Sequence, residues 1–235
     1  MLKLMKMEWK KNHIGKYVIK SIVVAAFLLL FLYALAYMGI ANDLETGVPD
    51  AAEGNEMISA FIEMFAGMSF LIMGGVMQAS FIVGAYRNGT MSLMFSYPIK
   101  RRKIIVSQML AVWIFDFLAL VVTKLLLYGS ILVGACFMTS SFPIDYDMAD
   151  PVFYLQMVVN SAVTVTVTLI ALFVGMMMRS TKATIVASFV LVFLTQGNIG
   201  TFTLKDNVVF FTILMLVSIA LAFLTVYKVE TKDLM

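Results

Sequence analysis

Six long stretches of mostly apolar residues alternate along the chain with shorter polar segments. A transmembrane α-helix needs about 17 to 25 consecutive and mainly apolar residues, and each stretch has that length or more. We therefore predict an all-α, polytopic integral membrane protein that forms a single transmembrane domain over residues 1–235. The six predicted transmembrane helices, spans 1 to 6, cover residues 17–41, 57–85, 104–137, 152–178, 183–199 and 208–227.

Span 3 is longer than a bilayer requires. Its 34 residues would form a helix of about 51 Å at ~1.5 Å per residue. The hydrocarbon core of a bilayer is only ~30 Å thick. We therefore expect this helix to tilt, to break or to project into the cytosol.

The charges predict the orientation in the membrane. If the six spans alternate in direction, all but Lys124 and Lys205 of the 17 basic residues fall on the same side. The segments 42–56 and 138–151 carry acidic residues and no basic residue, and both fall on the opposite side. The positive-inside rule then predicts a multi-pass protein of the cell membrane with both termini in the cytoplasm.

The composition excludes several classes of protein. Apolar residues make up 62% of the chain and charged residues 13%, and the mean hydropathy is +0.96. About a quarter of the residues of a soluble domain are charged, so a water-soluble globule is excluded. One cysteine and one histidine exclude a disulfide framework and a cluster of such metal ligands. We predict no catalytic residue, no metal site and no nucleic-acid partner.

The N-terminal segment 1–16 has the pattern of an amphipathic helix. Leu2, Met5 and Trp9 recur at helical spacing on one face, and three lysines recur on another. Such a helix lies at the membrane interface and attracts anionic lipid, so we predict an interfacial helix over 1–16 with membrane lipid as a partner. The alternative is a basic flank of span 1 that has no fixed shape.

The segment 86–103 is unusually apolar for a connection between two spans. The tripeptide Asn-Gly-Thr at 88–90 favours a turn that begins a helix. Methionines 91 and 94 and Phe95 follow at helical spacing, and Pro98 ends the pattern. This predicts a short amphipathic helix whose apolar face binds either a partner protein or the membrane surface.

Three ionisable residues, Glu63, Asp116 and Lys124, lie deep inside predicted spans, whereas Lys20 lies near the start of span 1. Each costs roughly 2.5–3.5 kcal/mol at the centre of a membrane helix, so such residues usually pair or face water. Glu63 and Lys124 lie at depths that the long lysine side chain can bridge. One interpretation is a substrate path or a proton relay. The other is a structural ion pair plus a carboxylate near the inner headgroups.

Span 4 carries a stripe of small and polar residues along one helical face, of which Asn160, Thr164 and Thr168 are the polar members. Gly67, Gly74 and Gln78 form a similar stripe in span 2. Small residues allow close packing between membrane helices. The alternative is a polar lining of a translocation path.

Three parts of the sequence resemble the permease subunits of type-2 ABC transporters. These are the loop between spans 2 and 3, the N-terminal segment and the C-terminal tail, and six spans in a chain of this length is the usual layout of that family. The matching motifs are Gly89-Thr90, Tyr97-Pro98-Ile99-x-Arg101, Lys103-Ile104-Ile105, Met1-Leu2-Lys3-Leu4 with Glu8, and Lys228-Val229-Glu230-x-Lys232-Asp233. Two positions depart from the family pattern, Ala85 and Gln108.

The resemblance implies a function. It makes residues 88–97 a coupling helix that docks on a pair of separate ATP-binding cassette subunits. The chain has no GxxxxGK[ST] motif of its own, so it is expected to hold no cofactor, with ATP and Mg bound by the partner. The docking residues implied are Asn88, Gly89, Thr90, Met91, Met94, Phe95, Tyr97, Pro98 and Arg101.

The resemblance also implies an assembly and a substrate class. A second permease copy or a paralogue would complete the channel, and the outer segment between spans 5 and 6 would form a small extracellular gate. The expected activity is export, from a bacterial cell, of an amphipathic or hydrophobic substrate such as an antimicrobial peptide or a drug. The alternative from the residues alone is an ion-coupled secondary carrier that uses Glu63, Asp116 and Lys124.

Overall fold

The computed structural model describes residues 2–37, 57–87, 101–137, 146–196, 198–199, 202–203 and 208–232. The predicted coupling helix lies outside the described residues. So do the acidic segment 42–56 and residues 138–145 of the second acidic segment. Predictions that concern these residues therefore stay predictions.

The described part of the chain is almost entirely helical, which confirms the all-α prediction. Helix α3 has three consecutive pieces: an α-helical stretch Met57–Gln78, a π-helical turn Ala79–Val83 and a last turn Gly84–Arg87. The two strands β1 (Asn198–Ile199) and β2 (Phe202–Thr203) form a minimal antiparallel pair. The other helices are α1 (Leu2–Lys11), α2 (Gly15–Tyr37), α4 (Arg101–Phe137), α5 (Pro151–Met178), α6 (Thr181–Gln196) and α7 (Val208–Lys232).

Five of the described helices, α2, α3, α4, α5 and α7, are long and apolar enough to cross a membrane. Helix α6, which corresponds to predicted span 5, is apolar but has only 16 residues. Its length of about 24 Å is shorter than the ~30 Å hydrocarbon core. The predicted end of this span at residue 199 is wrong, because residues 198–199 belong to β1. Glycines at 197 and 200 flank that strand, and glycine disfavours helix.

The predicted N-terminal helix over 1–16 is too long. Helix α1 ends at Lys11, and a turn over residues 12–14 separates it from α2. His13 has a φ of 50° in this turn, outside the helical region. The Asn12 side chain donates to the Glu8 carbonyl over 3.1 Å and so holds the end of α1. The periodic residues Leu2, Met5 and Trp9 all lie within α1, so the apolar pattern itself does not extend into this turn.

Helix α4 is continuous over 37 residues, about 55 Å at ~1.5 Å per residue. Of the three expectations for span 3, a break is therefore excluded. The helix begins at Arg101, three residues before the predicted start, so the basic residues at 101–103 form its first turn.

The helices pack into two compact units. The first comprises Met1–Ile14, Phe70–Phe117 and Ala162–Met235, and the second comprises Gly15–Ser69 and Leu118–Ser161. In the first unit α6 packs closely on its neighbours: a Cβ added to Gly175 would overlap Thr184, and one added to Gly75 would lie 2.5 Å from Ser188.

The second unit has an aromatic core of its own. The ring of Tyr128 packs edge-on against Tyr146 and Phe153, with centroids 4.8 and 4.9 Å away. The hydroxyl of Tyr146 donates to the Tyr128 carbonyl over 2.8 Å. The Tyr33 hydroxyl donates to the Ser130 carbonyl over 2.7 Å and ties α2 to α4 within this unit.

Candidate functional site

A buried polar layer lies between α3, α4 and α5 in the first unit. Its centre is Asp116, whose side chain is fully buried. A Cβ placed on Gly74 would come within 2.5 Å of Asp116 Oδ2 and 3.0 Å of the Thr168 methyl. Glycine at 74 is therefore what allows the Asp116 carboxyl to lie against the backbone of α3.

Gln78 and Thr168 form the rest of this layer. Gln78 Nε2 donates to Thr168 Oγ1 over 2.9 Å, and the threonine hydroxyl donates to the Val165 carbonyl over 2.6 Å. Gln78 stands directly before the π-helical turn of α3, where Gly84 donates to the Ala79 carbonyl. Such turns often occur at functional positions of helices.

The unpartnered atoms of this layer are all hydrogen-bond acceptors. Within the described residues, neither oxygen of Asp116 has a hydrogen-bond partner, and neither has Gln78 Oε1. Burial of an unpaired polar atom costs about 1–3 kcal/mol, so each such atom calls for a specific explanation. Chemically, the layer is complementary to a hydrogen-bond donor or a small cation.

The two other ionisable residues of the predicted spans form a salt bridge in the second unit. Lys124 Nζ lies 2.6 Å from Glu63 Oε2, and the two side chains are 1% and 16% exposed. The structural ion pair that the sequence allows is thus present. Each charge is compensated by the other, which is the usual arrangement of ionisable residues in membrane helices.

The three polar residues of the α5 stripe lie in different environments. Thr168 is buried in the polar layer and Thr164 is half-buried, whereas Asn160 is exposed. Thr168 takes part through its bonds to Gln78 and to its own helix. The structure therefore connects one of the three predicted polar residues to Asp116.

Helix α1 is anchored on α4 by two side-chain hydrogen bonds. Gln108 Nε2 donates to Glu8 Oε1 over 3.2 Å, and Trp9 Nε1 donates to the Ala111 carbonyl over 3.0 Å. Glu8 and Met5 are both only 5% exposed. The face of α1 that carries Met5 and Glu8 therefore packs on the protein.

The Glu8–Gln108 contact is a feature that sequence reasoning missed. Gln108 was notable only as a departure from the family pattern, yet it bonds the single acidic residue of a basic segment. A lone acid among lysines and a lone amide in an apolar helix were the available signals. Neither signal identifies its partner.

Nine residues were predicted to dock on the ATP-binding subunits. Arg101 is the first residue of α4, and the other eight lie outside the described residues. The described residue before them is Arg87, at the end of α3. The adjoining Tyr86 ring faces the Arg179 guanidinium at 5.9 Å, so the turn between α5 and α6 packs at this end of α3.

The chain is similar to a bacterial protein of comparable length. It is 22% identical over 210 residues to the "uncharacterized protein YcbO" of Bacillus subtilis (strain 168), and the match covers 88% of this chain and 89% of the relative. No protein-family model matches the chain, and no solved structure matches it. The chain is a multi-pass membrane protein with a homologue in a bacterium.

Proposed function

We propose that this chain is the membrane-spanning permease subunit of an ATP-driven exporter. In this proposal it spans the cell membrane six times, with α6 as the short fifth span and both termini in the cytoplasm. A pair of separate ATP-binding cassette subunits binds ATP and Mg, and a second copy or a paralogue completes the channel. The substrate is amphipathic or hydrophobic, such as an antimicrobial peptide or a drug.

The observation that carries this proposal is the anchoring of α1 on an unbroken α4. The predicted coupling helix connects α3 to α4, so a displacement of it by the ATP-binding subunits would act directly on Arg101. A continuous helix of 37 residues transmits such a displacement along its whole length. The bonds from Gln108 to Glu8 and from Trp9 to Ala111 make α1 move with α4.

The proposed seam with a second chain would use exposed apolar residues of α2 and α6. On α6, Val186, Phe189 and Phe193 are 61%, 47% and 75% exposed. On α2, Ile22 and Phe27 are 62% and 65% exposed. By the resemblance, the predicted spans 1 and 5 form the seam between two permeases, and these helices carry the apolar surface that such a seam would bury.

A double substitution in the predicted coupling helix tests the proposal. We expect Met94→Ala/Phe95→Ala to insert in the membrane but to lose co-purification of the ATP-binding cassette protein encoded beside it. It should also lose resistance to a panel of amphipathic peptides. A central pair of apolar anchors carries much of the binding free energy of a small interface. The matched control is Met177→Ala/Met178→Ala, which truncates two exposed methionines at the end of α5. This control should still co-purify with the ATP-binding cassette protein and should still give resistance to the peptides.

The unpartnered oxygens of Asp116 favour a second candidate, an ion-coupled carrier. Glu63 and Lys124 neutralise each other, so the carrier hypothesis depends on Asp116 among the three ionisable residues. It expects Asp116→Asn to abolish transport while Met94→Ala/Phe95→Ala stays active. The permease proposal expects the opposite order for the same two variants.

A further inference from the structure

An apolar groove of about 400 Å³ lies between α4, α5 and α7 within the first unit. Its volume falls in the range of about 300–1,000 Å³ that is usual for small-molecule sites. The α4 wall follows one helical face, because its residues are spaced by four and three positions. Lining residues include Val106, Leu110 and Trp113 on α4, Leu169 on α5, and Ile219 and Phe223 on α7.

The position of the Trp113 indole is fixed at the wall of this groove. Its Nε1 donates to Thr166 Oγ1 over 3.2 Å, and its ring stacks on Phe117 with centroids 5.3 Å apart. Thr166 Oγ1 in turn donates to the Ala162 carbonyl. The polar atoms at the wall are therefore bonded to each other, and the groove offers an occupant an apolar surface.

Two exposed cations stand at one end of the groove. Arg102 and Lys103 lie in the first turn of α4 and are exposed. Arg102 is four residues before Val106 and so lies on the helical face that lines the groove. From Arg102 to Trp113 the helix rises about 16 Å at ~1.5 Å per residue. The site therefore combines positive charge at the helix end with an apolar slot that leads away from it.

We infer that this groove binds an acyl chain of an anionic phospholipid whose phosphate lies at Arg102 and Lys103. Basic residues next to membrane helices attract anionic headgroups, so the charge at this end selects the lipid. The groove runs about 10 Å along α4 between Val106 and Trp113. Its apolar lining leads away from the two cations, which matches an acyl chain below an anionic headgroup.

Fluorescence of the groove tryptophan provides a direct test. The chain has two tryptophans, so the full-length Trp9→Phe variant keeps Trp113 as its single reporter. It is reconstituted in phosphatidylcholine vesicles that contain increasing fractions of brominated phosphatidylglycerol or brominated phosphatidylcholine. We expect the brominated anionic lipid to reach half-maximal quenching at a mole fraction at least threefold lower than the brominated zwitterionic lipid.

Variants of the two cations establish the origin of that preference. In the Trp9→Phe background with Arg102→Gln/Lys103→Gln, both brominated lipids should quench Trp113 equally. The exchange Arg102→Lys/Lys103→Arg keeps the charge and should retain the threefold preference, which also controls for folding. The matched control Lys16→Gln/Lys182→Gln removes two exposed lysines outside the groove and should retain it as well.

Three results would overturn the inference. Equal quenching by both lipids in the Trp9→Phe protein would mean that unselective lipid fills the groove. An absence of quenching by either lipid would mean that protein, such as a second copy, covers it. A preference that persists in Arg102→Gln/Lys103→Gln would mean that other residues bind the headgroup. None of these results bears on ATP coupling, because the experiment uses the permease chain alone.

Discussion

Replacement of Gly74 by alanine should destabilise the first unit through a single steric contact. The added Cβ would lie 2.5 Å from Asp116 Oδ2 and 3.0 Å from the Thr168 methyl. Both neighbours are buried, so neither side chain can move into solvent. Overpacking of this kind costs about 1–3 kcal/mol, against a gain of up to about 1 kcal/mol from the better helix propensity of alanine.

The net loss in the free energy of unfolding should therefore be about 0–2 kcal/mol, the overpacking cost less a propensity gain of about 1 kcal/mol. For a chain of this size each kcal/mol lowers the melting temperature by about 2–4 °C, so the expected decrease is at most about 8 °C. The assay is the fraction of monodisperse protein that remains in detergent after heating. Gly129→Ala is the matched control, because a Cβ at 129 in α4 meets nothing within 4 Å, and we expect it to be as stable as the native chain or more so.

A double-mutant cycle identifies the contact responsible. In an Asp116→Ala background the shorter of the two contacts disappears, so Gly74→Ala should lose less than half as much stability as it does alone. Residues in direct contact are coupled in this way, and residues that act independently are additive. If Gly74→Ala and Gly129→Ala melted alike, or if the two effects at 74 and 116 simply added, the close packing of the polar layer would be refuted.

Three further predictions concern other parts of the chain. Lys124→Met should lower the free energy of unfolding by about 3–5 kcal/mol, because it leaves Glu63 unpaired. Adding Glu63→Gln to this variant should restore most of that loss. Equal stability of the single and the double variant in heat-challenge assays would contradict the ion pair. Glu8→Ala should expose α1 to limited proteolysis, which SDS gels would detect, whereas unchanged cleavage would contradict the anchor on α4. In a chain whose single native cysteine is replaced by serine, Asp50→Cys should react with an impermeant maleimide in intact cells and Lys103→Cys should not; the reverse labelling would invert the proposed topology.

The apolar stretches predicted most of the helices because lipid leaves the backbone few alternatives. Every peptide group of a chain in the hydrocarbon must be paired internally, so a long apolar run becomes a helix. The predicted span 152–178 differs from α5, Pro151–Met178, by one residue at its start. Predicted span 5 ends three residues after α6, which ends at Gln196. Glycines at 197 and 200 disfavour a longer helix.

Features that depend on one particular pair of side chains were not predictable in the same way. The end of α1 depends on the left-handed conformation of His13 and on the bond from the Asn12 side chain. Neither residue type requires such a turn. The periodic residues from Leu2 to Trp9 lie within α1, and the prediction extended the helix past them to residue 16.

The candidate site shows the same distinction. The depths of Glu63 and Lys124 in their predicted spans were enough to predict that the two could pair, because the predicted spans contain few ionisable side chains. The contact of Asp116 with Gly74 depends on how α3 and α4 are rotated about their axes. Apolar periodicity in a sequence indicates which face of a helix is buried and hence how the helix is rotated. Spans that are apolar on all faces show little periodicity.

The central claim is that residues 88–97 couple this chain to separate ATP-binding subunits. The most direct measurement is photo-crosslinking from a benzophenone maleimide on Met94→Cys, in a chain whose native cysteine is replaced by serine and which is co-expressed with the neighbouring ATP-binding cassette protein. Val152→Cys is the control position, at the exposed start of α5 and on the opposite side of the membrane in the proposed topology. The proposal predicts a crosslink to the ATP-binding subunit from position 94 and none from position 152. A crosslink from position 94 to lipid or to a second permease copy alone, in a complex that hydrolyses ATP, would contradict it.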